Sequence, residues 1–97
     1  MPQRIVQFAP TMAPGDGVTN SVFYIDSLLR ELGFATAIYS HRPPFEFRDQ
    51  VTDIHRYRSG ECKLMLVHHS MGHDLGYWLD GVGCPRVLVY QMGRAHV

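Results

Sequence analysis

The chain has 97 residues, with nine basic side chains, nine acidic side chains and two cysteines. This length accommodates one small domain and excludes two. A net charge of zero gives no general attraction for nucleic acid or an anionic membrane, and the sequence shows neither a membrane-spanning run nor a signal peptide. We therefore expect a cytoplasmic protein that does not bind nucleic acid.

The first third of the sequence predicts a strand, a glycine-containing loop and a helix. An apolar run over residues 4–9 is typical of a buried strand, and the turn-rich segment 10–17 follows it. Apolar residues then recur at helical spacing, at Val22, Ile25, Leu29 and Leu32. Thr19 or Asn20 is expected to cap the start of this helix, and Gly33 fits the position just past its end.

The rest of the sequence extends an α/β pattern. Three further apolar runs predict strands, at residues 35–40, 63–68 and 86–90. A short helix is expected at residues 72–79, whereas residues 45–61 predict a loop with one helical turn at most. These elements predict an open, parallel, Rossmann-like sheet of about four strands with flanking helices. We assign residues 1–90 to this partial domain and residues 91–97 to a divergent tail.

The two cysteines, Cys62 and Cys84, are far apart and do not form a Cys-x-x-Cys motif. Each lies next to the start of a predicted strand. Because the expected location is the reducing cytoplasm, we expect two free thiols rather than a disulfide.

The first candidate binding site is the loop Gly15-Asp16-Gly17, which opens the predicted helix. Glycines let the backbone approach a ligand closely, and the N–H groups at a helix start attract phosphates and other anions. The loop also follows the carboxyl end of a strand, where open α/β sheets bind ligands. The dinucleotide fingerprint Gly-x-Gly-x-x-Gly is absent. The same loop also fits a helix-start turn that binds nothing.

The second candidate is the histidine-rich segment after the strand at residues 63–68. His68 could face a ligand crevice at the same edge as the glycine loop. Alternatively, Ser70 could be the nucleophile of an α/β-hydrolase elbow, although His68 then occupies a position that glycine takes in that motif. His69 and His73 are four residues apart, but two histidines without a third ligand are weak evidence for zinc, so we expect no metal site.

The order and spacing of several segments resemble the family-four retaining glycosyltransferases. Phe8-Ala-Pro10, Gly15-Asp16-Gly-Val18-Thr-Asn20 and Leu28-Leu-Arg-Glu-Leu-Gly33 are similar to the first strand, loop and helix of that family. Leu66-Val-His68-His-Ser70-Met-Gly72 is similar to their third strand and the turn after it. Pro85-Arg-Val-Leu-Val-Tyr90 resembles the strand that follows.

This resemblance implies the GT-B fold, in which two Rossmann-like domains face a cleft. The first domain binds a glycan or lipid-linked acceptor, the second binds most of a nucleotide-sugar donor, and the sugar is transferred with retention and without a metal or other cofactor. By position, Gly15, Asp16 and Gly17 would border the donor phosphates and the acceptor. Asn20 would support that loop, and His68 would lie near the acceptor face of the cleft. The resemblance identifies no catalytic residue in this chain.

The resemblance ends after Tyr90, where the family continues with a histidine and Asn-x-Thr-Pro. Here Gln91 takes the place of that histidine, and Met92-Gly-Arg-Ala95 does not match. We therefore expect a fragment without a donor domain, inactive as a transferase by itself and self-associating through an exposed sheet edge. The rival hypothesis is a non-catalytic α/β module that binds a small anion at the glycine loop.

Overall fold

The computed structural model describes residues 4–58, 60, 62–68 and 83–89, except for the side chain of Leu88. It contains five strands, β1 (Arg4–Ala9), β2 (Ala35–Ser40), β3 (Val51–Asp53), β4 (Cys62–His68) and β5 (Arg86–Val89). Helix α1 spans Gly17–Glu31, and two 3₁₀ turns lie at Phe45–Phe47 and Ile54–Arg56.

All five strands pair in parallel, in the order β3-β2-β1-β4-β5. The chain builds one side of the sheet from β1 outward to β3 and then returns to place β4 against the other side of β1. This order is that of a Rossmann-like open sheet, and its direction reverses between β1 and β4. The prediction of an α/β fold with an open parallel sheet is confirmed.

The sequence missed one strand. β3 lies inside segment 45–61, which was expected to be a loop, and it pairs with Ile38, Tyr39 and Ser40 of β2. The sheet therefore has five strands rather than about four. Three residues are too few to display a period-2 pattern, so the strand is defined by its partner. The helix expected at 72–79, Tyr90 and the tail at 91–97 lie outside the described residues.

Helix α1 begins one turn earlier than its expected caps. Asp16 is the N-cap, and its side chain accepts a hydrogen bond from the backbone N–H of Thr19. Thr19 and Asn20, the expected caps, therefore lie inside the first turn. The other end agrees with prediction, because Gly33 has φ +95° and follows the C-cap Leu32. Among the described residues, no helix combines the length and apolarity needed to cross a bilayer.

Strand β1 is buried on both faces from Ile5 to Ala9, as its apolar run predicts, whereas Val87 of β5 is exposed. One buried cluster lies on the face covered by α1 and contains Ala9, Met12, Val22, Ile38 and Val51. A second cluster contains Val6, Phe8, Tyr39, Ile54, Cys62, Met65, Val67 and Cys84. Phe8 and Met65 are fully buried, so β1 and β4 form the centre of the second cluster.

The expectation of two free thiols is wrong, because Cys62 and Cys84 form a disulfide. Cys62 begins β4 and Cys84 lies two residues before β5. These strands are parallel neighbours in which Met65 pairs with Arg86, so their amino ends lie side by side. The two Cα atoms are 6.0 Å apart, within the range that a disulfide spans. Spacing along the chain gave no sign of this proximity, which depends on the pairing of β4 with β5.

Candidate functional site

The glycine loop leaves β1 at its carboxyl end and turns into α1 at Asp16. Gly15 has φ +79°, a left-handed conformation that glycine adopts without strain. The backbone N–H of Asp16 donates to the carbonyl of Ala13 at 3.1 Å, which closes the turn. Gly15, Asp16 and Gly17 are all exposed, so the predicted loop is accessible to a ligand.

Thr19 holds this loop against the helix. Its hydroxyl accepts the backbone N–H of Ala13 at 2.9 Å and lies 3.4 Å from the carboxylate of Asp16. Its backbone N–H donates to the same carboxylate at 3.2 Å. Asn20, which the sequence assigned to supporting the loop, is exposed, and its backbone N–H donates to the carbonyl of Asp16. The side chain that ties the loop to α1 is therefore that of the buried Thr19.

The capping carboxylate changes the electrostatics of the helix start. Helix N-termini attract anions because their N–H groups are unpaired and carry partial positive charge. The side chain of Asp16 already accepts one of these N–H groups. Its negative charge also repels a second anion at the same place. The loop is consequently better suited to neutral hydroxyl groups, which a carboxylate binds as hydrogen-bond acceptor.

His68 ends β4 in the α1-facing layer of the sheet. Its side chain is 1% exposed, and its Nε2 lies 2.8 Å from Oε1 of Gln7 on the neighbouring β1. The Nε2 amide group of Gln7 donates in turn to the backbone carbonyl of Val22 in α1 at 2.9 Å. Two strands and the helix are thus joined by two successive buried hydrogen bonds, from Val22 through Gln7 to His68.

These two hydrogen bonds fix the tautomer of His68. The amide group of Gln7 is used as a donor to Val22, so its Oε1 is the acceptor toward the imidazole. Nε2 of His68 must therefore carry the proton, which leaves Nδ1 as an acceptor. Within the described part of the chain, Nδ1 is buried and has no hydrogen-bond partner. Burial lowers the pKa of His68 from 6.5 to about 4, so the ring is neutral near pH 7.

The loop and His68 lie at the same edge of the sheet, on adjacent strands. Phe8 of β1 pairs with Val67 of β4, which places Ala9 and His68 side by side at the carboxyl ends. The turn-rich segment 10–17, which contains the glycine loop, starts immediately after Ala9. Because β1 and β4 flank the point where the strand order reverses, both features lie at the position where open α/β sheets generally bind ligands.

A surface groove in the described structure lies away from this edge. It has a volume of about 620 Å³ and lies beside α1, where Arg4 and Thr36 line it near the amino ends of β1 and β2. In this groove Nε of Arg30 donates to Asp26 at 2.8 Å and lies 3.1 Å from the hydroxyl of Thr36. Oδ1 of Asp26 is buried and has no hydrogen-bond partner among the described residues. We place the candidate site at the carboxyl edge because open α/β sheets bind ligands at the carboxyl ends of their strands, next to the point where the strand order reverses.

Sequence reasoning missed a second polar cluster at this edge. His41 follows β2, Asp53 ends β3 and His55 lies in the 3₁₀ turn after it, and one ligand-type atom of each lies within 4.8 Å of the others. Burial raises the pKa of Asp53, but hydrogen bonds from the backbone N–H and ring of His55 and from the N–H of Arg42 outweigh it. Together with the charge of His55, they hold the pKa of Asp53 below its ordinary value.

No periodic pattern or motif links these residues. The usable signal in the sequence was that His41 directly follows a predicted strand. It becomes informative only once Asp53 is known to pair with Ser40, the last residue of that strand. The other candidates of the sequence, His69, Ser70 and His73, lie outside the described residues.

Comparison of the chain with protein-family models, with curated proteins and with solved structures finds no match. Functional assignment therefore depends on the fold and on the chemistry of this edge.

Proposed function

We propose that this chain is the acceptor-side domain of a two-domain GT-B glycosyltransferase. In that enzyme a sugar passes with retention from a nucleotide-sugar donor to a glycan or lipid-linked acceptor. The observation that carries the proposal is that the glycine loop and Nδ1 of His68, an acceptor without a partner among the described residues, flank the switch point between β1 and β4. The resemblance of residues 8–33 and 66–90 to family-four retaining glycosyltransferases supports the same assignment.

The polar groups at this crevice suit a sugar. Sugar hydroxyls donate hydrogen bonds, and both the neutral Nδ1 of His68 and the exposed carboxylate of Asp16 accept them. A buried acceptor without a partner is costly, so a hydroxyl that reaches Nδ1 gains more than one bound at the surface. His68 would act as a positioning group for the acceptor, since its low pKa makes it a weak proton acceptor at neutral pH.

The rival, an anion-binding module, is less well supported. Its anion would have to lie at the start of α1, where the carboxylate of Asp16 already accepts a helix N–H. A serine hydrolase is a third and weaker hypothesis. A serine-reactive probe that labels Ser70 would support it.

The proposed transfer needs a donor-binding domain in addition to residues 1–97. Transfer requires stabilisation of the departing nucleotide diphosphate and alignment of the donor with the acceptor, and one face of a cleft supplies neither. We therefore expect negligible turnover of a labelled nucleotide sugar by this chain alone. A reading frame for a second Rossmann-like domain downstream of residue 97 would support the assignment.

A cytoplasmic location also belongs to the proposal, and the disulfide provides a test of it. In the cytoplasm, glutathione and thioredoxin would keep Cys62 and Cys84 reduced. The disulfide in the structure therefore argues against this location, and thiol trapping in lysates tests it, because a free pair in cells would support the cytoplasmic assignment. A pair that is oxidised in cells would contradict the cytoplasmic assignment.

Binding can be tested by NMR on the isotope-labelled chain. We expect UDP-glucose, GDP-mannose and a methyl glycoside to shift the amide signals of residues 15–17 and the imidazole nitrogens of His68. Inorganic phosphate should leave these signals unchanged. Shifts caused by phosphate alone would favour the anion-binding module, and no shift with any sugar ligand at millimolar concentration would reject the proposal.

A matched pair of variants separates loop function from backbone strain. Gly15 and Gly33 both have positive φ, and an added Cβ would contact nothing within 4 Å at either position. Gly15→Ala and Gly33→Ala should therefore impose similar strain at opposite ends of α1. Only Gly15→Ala should weaken sugar binding, and equal weakening by both would indicate a general effect on stability.

A further inference from the structure

We propose that His41, Asp53 and His55 form a binding site for a divalent transition metal of the Zn²⁺ class. The site lies at the carboxyl ends of β2 and β3, beside the proposed sugar crevice but independent of it. Two imidazoles and one carboxylate are a ligand set that Zn²⁺ uses when it keeps a fourth position open for water or another ligand. Ca²⁺ and Mg²⁺ prefer sets made of oxygen atoms alone.

Strand pairing brings the three side chains together. β2 and β3 are parallel, with Ser40 opposite Asp53, so the residue after β2 and the last residue of β3 emerge side by side. The 3₁₀ turn at Ile54–Arg56 then returns His55 over Asp53. One ligand-type atom from each of the three residues lies within 4.8 Å of the other two.

The distances are close to those that a metal requires. Nδ1 of His55 is 2.8 Å from Oδ1 of Asp53, and the rings of His41 and His55 are 5.5 Å apart at 61°. Ligand atoms around a tetrahedral Zn²⁺ lie roughly 3.3 Å apart, as bonds of roughly 2.0–2.1 Å require. Small side-chain rotations therefore suffice to converge the three ligands. The metal would replace the proton that Nδ1 and Oδ1 share in the metal-free protein.

The carboxylate is already oriented by the backbone. Its Oδ1 accepts the N–H of His55 at 2.9 Å, and its Oδ2 accepts the N–H of Arg42 at 3.1 Å. Arg42 is the one non-glycine residue with positive φ in the described part of the chain, at +52°. Hydrogen bonds of this kind fix the direction of a ligand and contribute to metal affinity.

The position of the cluster lets a metal ion enter from solvent and places it close to the segment that contains the glycine loop. His55 is exposed, whereas His41 and Asp53 are half-buried. The backbone N–H of His41 donates to the carbonyl of Pro10 at 3.2 Å, and the hydroxyl of Ser40 donates to the same carbonyl at 3.4 Å. The metal would therefore lie against the first residue of the segment that contains the glycine loop.

Isothermal titration of the disulfide-intact chain with zinc chloride tests this proposal without any nucleotide or sugar. We expect binding of one Zn²⁺ per chain and no detectable binding of Ca²⁺ or Mg²⁺. His55→Ala should lower the affinity by about 100-fold or more, because loss of a ligand should cost at least as much as loss of a supporting hydrogen bond. Unchanged affinity in this variant would overturn the proposal.

Two further variants test whether a loss of affinity reflects misfolding and whether other histidines bind the metal. Asp53→Asn keeps an acceptor for the N–H of His55, since Asn caps as well as Asp, but it should still lose most of the Zn²⁺ affinity. The double variant His69→Ala/His73→Ala should bind Zn²⁺ like the parent chain. Loss of binding in that double variant, with retention in His55→Ala, would assign the metal to the other histidine pair and contradict the proposal.

Discussion

The two edges of the parallel sheet are built from different chemistry. At the amino edge, a disulfide joins the segments that lead into β4 and β5. At the carboxyl edge, the strands end in polar side chains held by hydrogen bonds, including the pair of Gln7 and His68 and the pair of Asp53 and His55. The disulfide stabilises the amino edge of the sheet, whereas Nδ1 of His68 and the side chains of the proposed metal site lie at the carboxyl edge. Changes at the two edges should therefore have separable effects on stability and on binding.

The largest effect is expected at the amino edge. Cys84→Ser should lower the free energy of unfolding of the oxidised protein by about 3 kcal/mol, because the disulfide constrains the unfolded chain across a separation of 22 residues. Urea denaturation with and without dithiothreitol measures this effect. Reductant should destabilise the parent chain and leave the variant unchanged. Two reactive thiols in the oxidised, folded parent would contradict the disulfide.

Acidification should lower the free energy of unfolding by a similar amount, through His68 at the carboxyl edge. The pKa of His68 is 6.5 in an unfolded chain and about 4 in the folded protein, so the unfolded state binds more protons between these values. The contribution of His68 is complete above pH 6.5 and is lost as the pH falls toward 4, by about 3 kcal/mol in total. Urea unfolding at several pH values measures this slope.

His68→Gln should remove most of this slope, whereas His55→Ala should leave it. Asp53 does not interfere, because its lowered pKa confines its contribution to lower pH, where protonation of the carboxylate removes it. A slope that persists in His68→Gln would show that another group is responsible.

A somewhat smaller effect is expected when His68 is replaced by an apolar residue. His68→Leu leaves Oε1 of Gln7 buried without its donor, which should cost about 1–3 kcal/mol at neutral pH. The double variant Gln7→Leu/His68→Leu should recover part of that loss, as a double-mutant cycle of unfolding free energies would show. Strict additivity of the two single changes would contradict the coupling.

The smallest effect is expected at the exposed start of α1. Asp16→Ala removes the cap that accepts the N–H of Thr19 and should cost about 1 kcal/mol. Asp16→Asn should retain most of this stability, and at the same time it should ease anion binding by removing the charge. Thermal unfolding and phosphate titration distinguish the two variants. Equal destabilisation by Ala and Asn would show that the cap does not act through its side-chain oxygen.

The parts of the fold that agree with prediction are those encoded by local pattern. β1 and β2 have continuous apolar runs, α1 has its helical spacing, and Gly33 ends that helix with positive φ. The glycine loop and the end of β4 could likewise be proposed as site elements, because ligand binding at the carboxyl ends of parallel strands follows from topology alone. Local errors occurred where several nearby residues could perform the same task, as when Asp16 rather than Thr19, three residues later, caps α1.

The features that could not be predicted depend on contacts between distant segments. β3 is too short to have a pattern and exists because β2 offers it an edge, and the disulfide forms because β4 and β5 are neighbours. The tautomer of His68 depends on Gln7, 61 residues earlier in the chain. The sequence by itself determined the class of fold and the edge at which to look. Only the tertiary structure decided which side chains meet there, because parallel strands bring together residues that no sequence spacing relates.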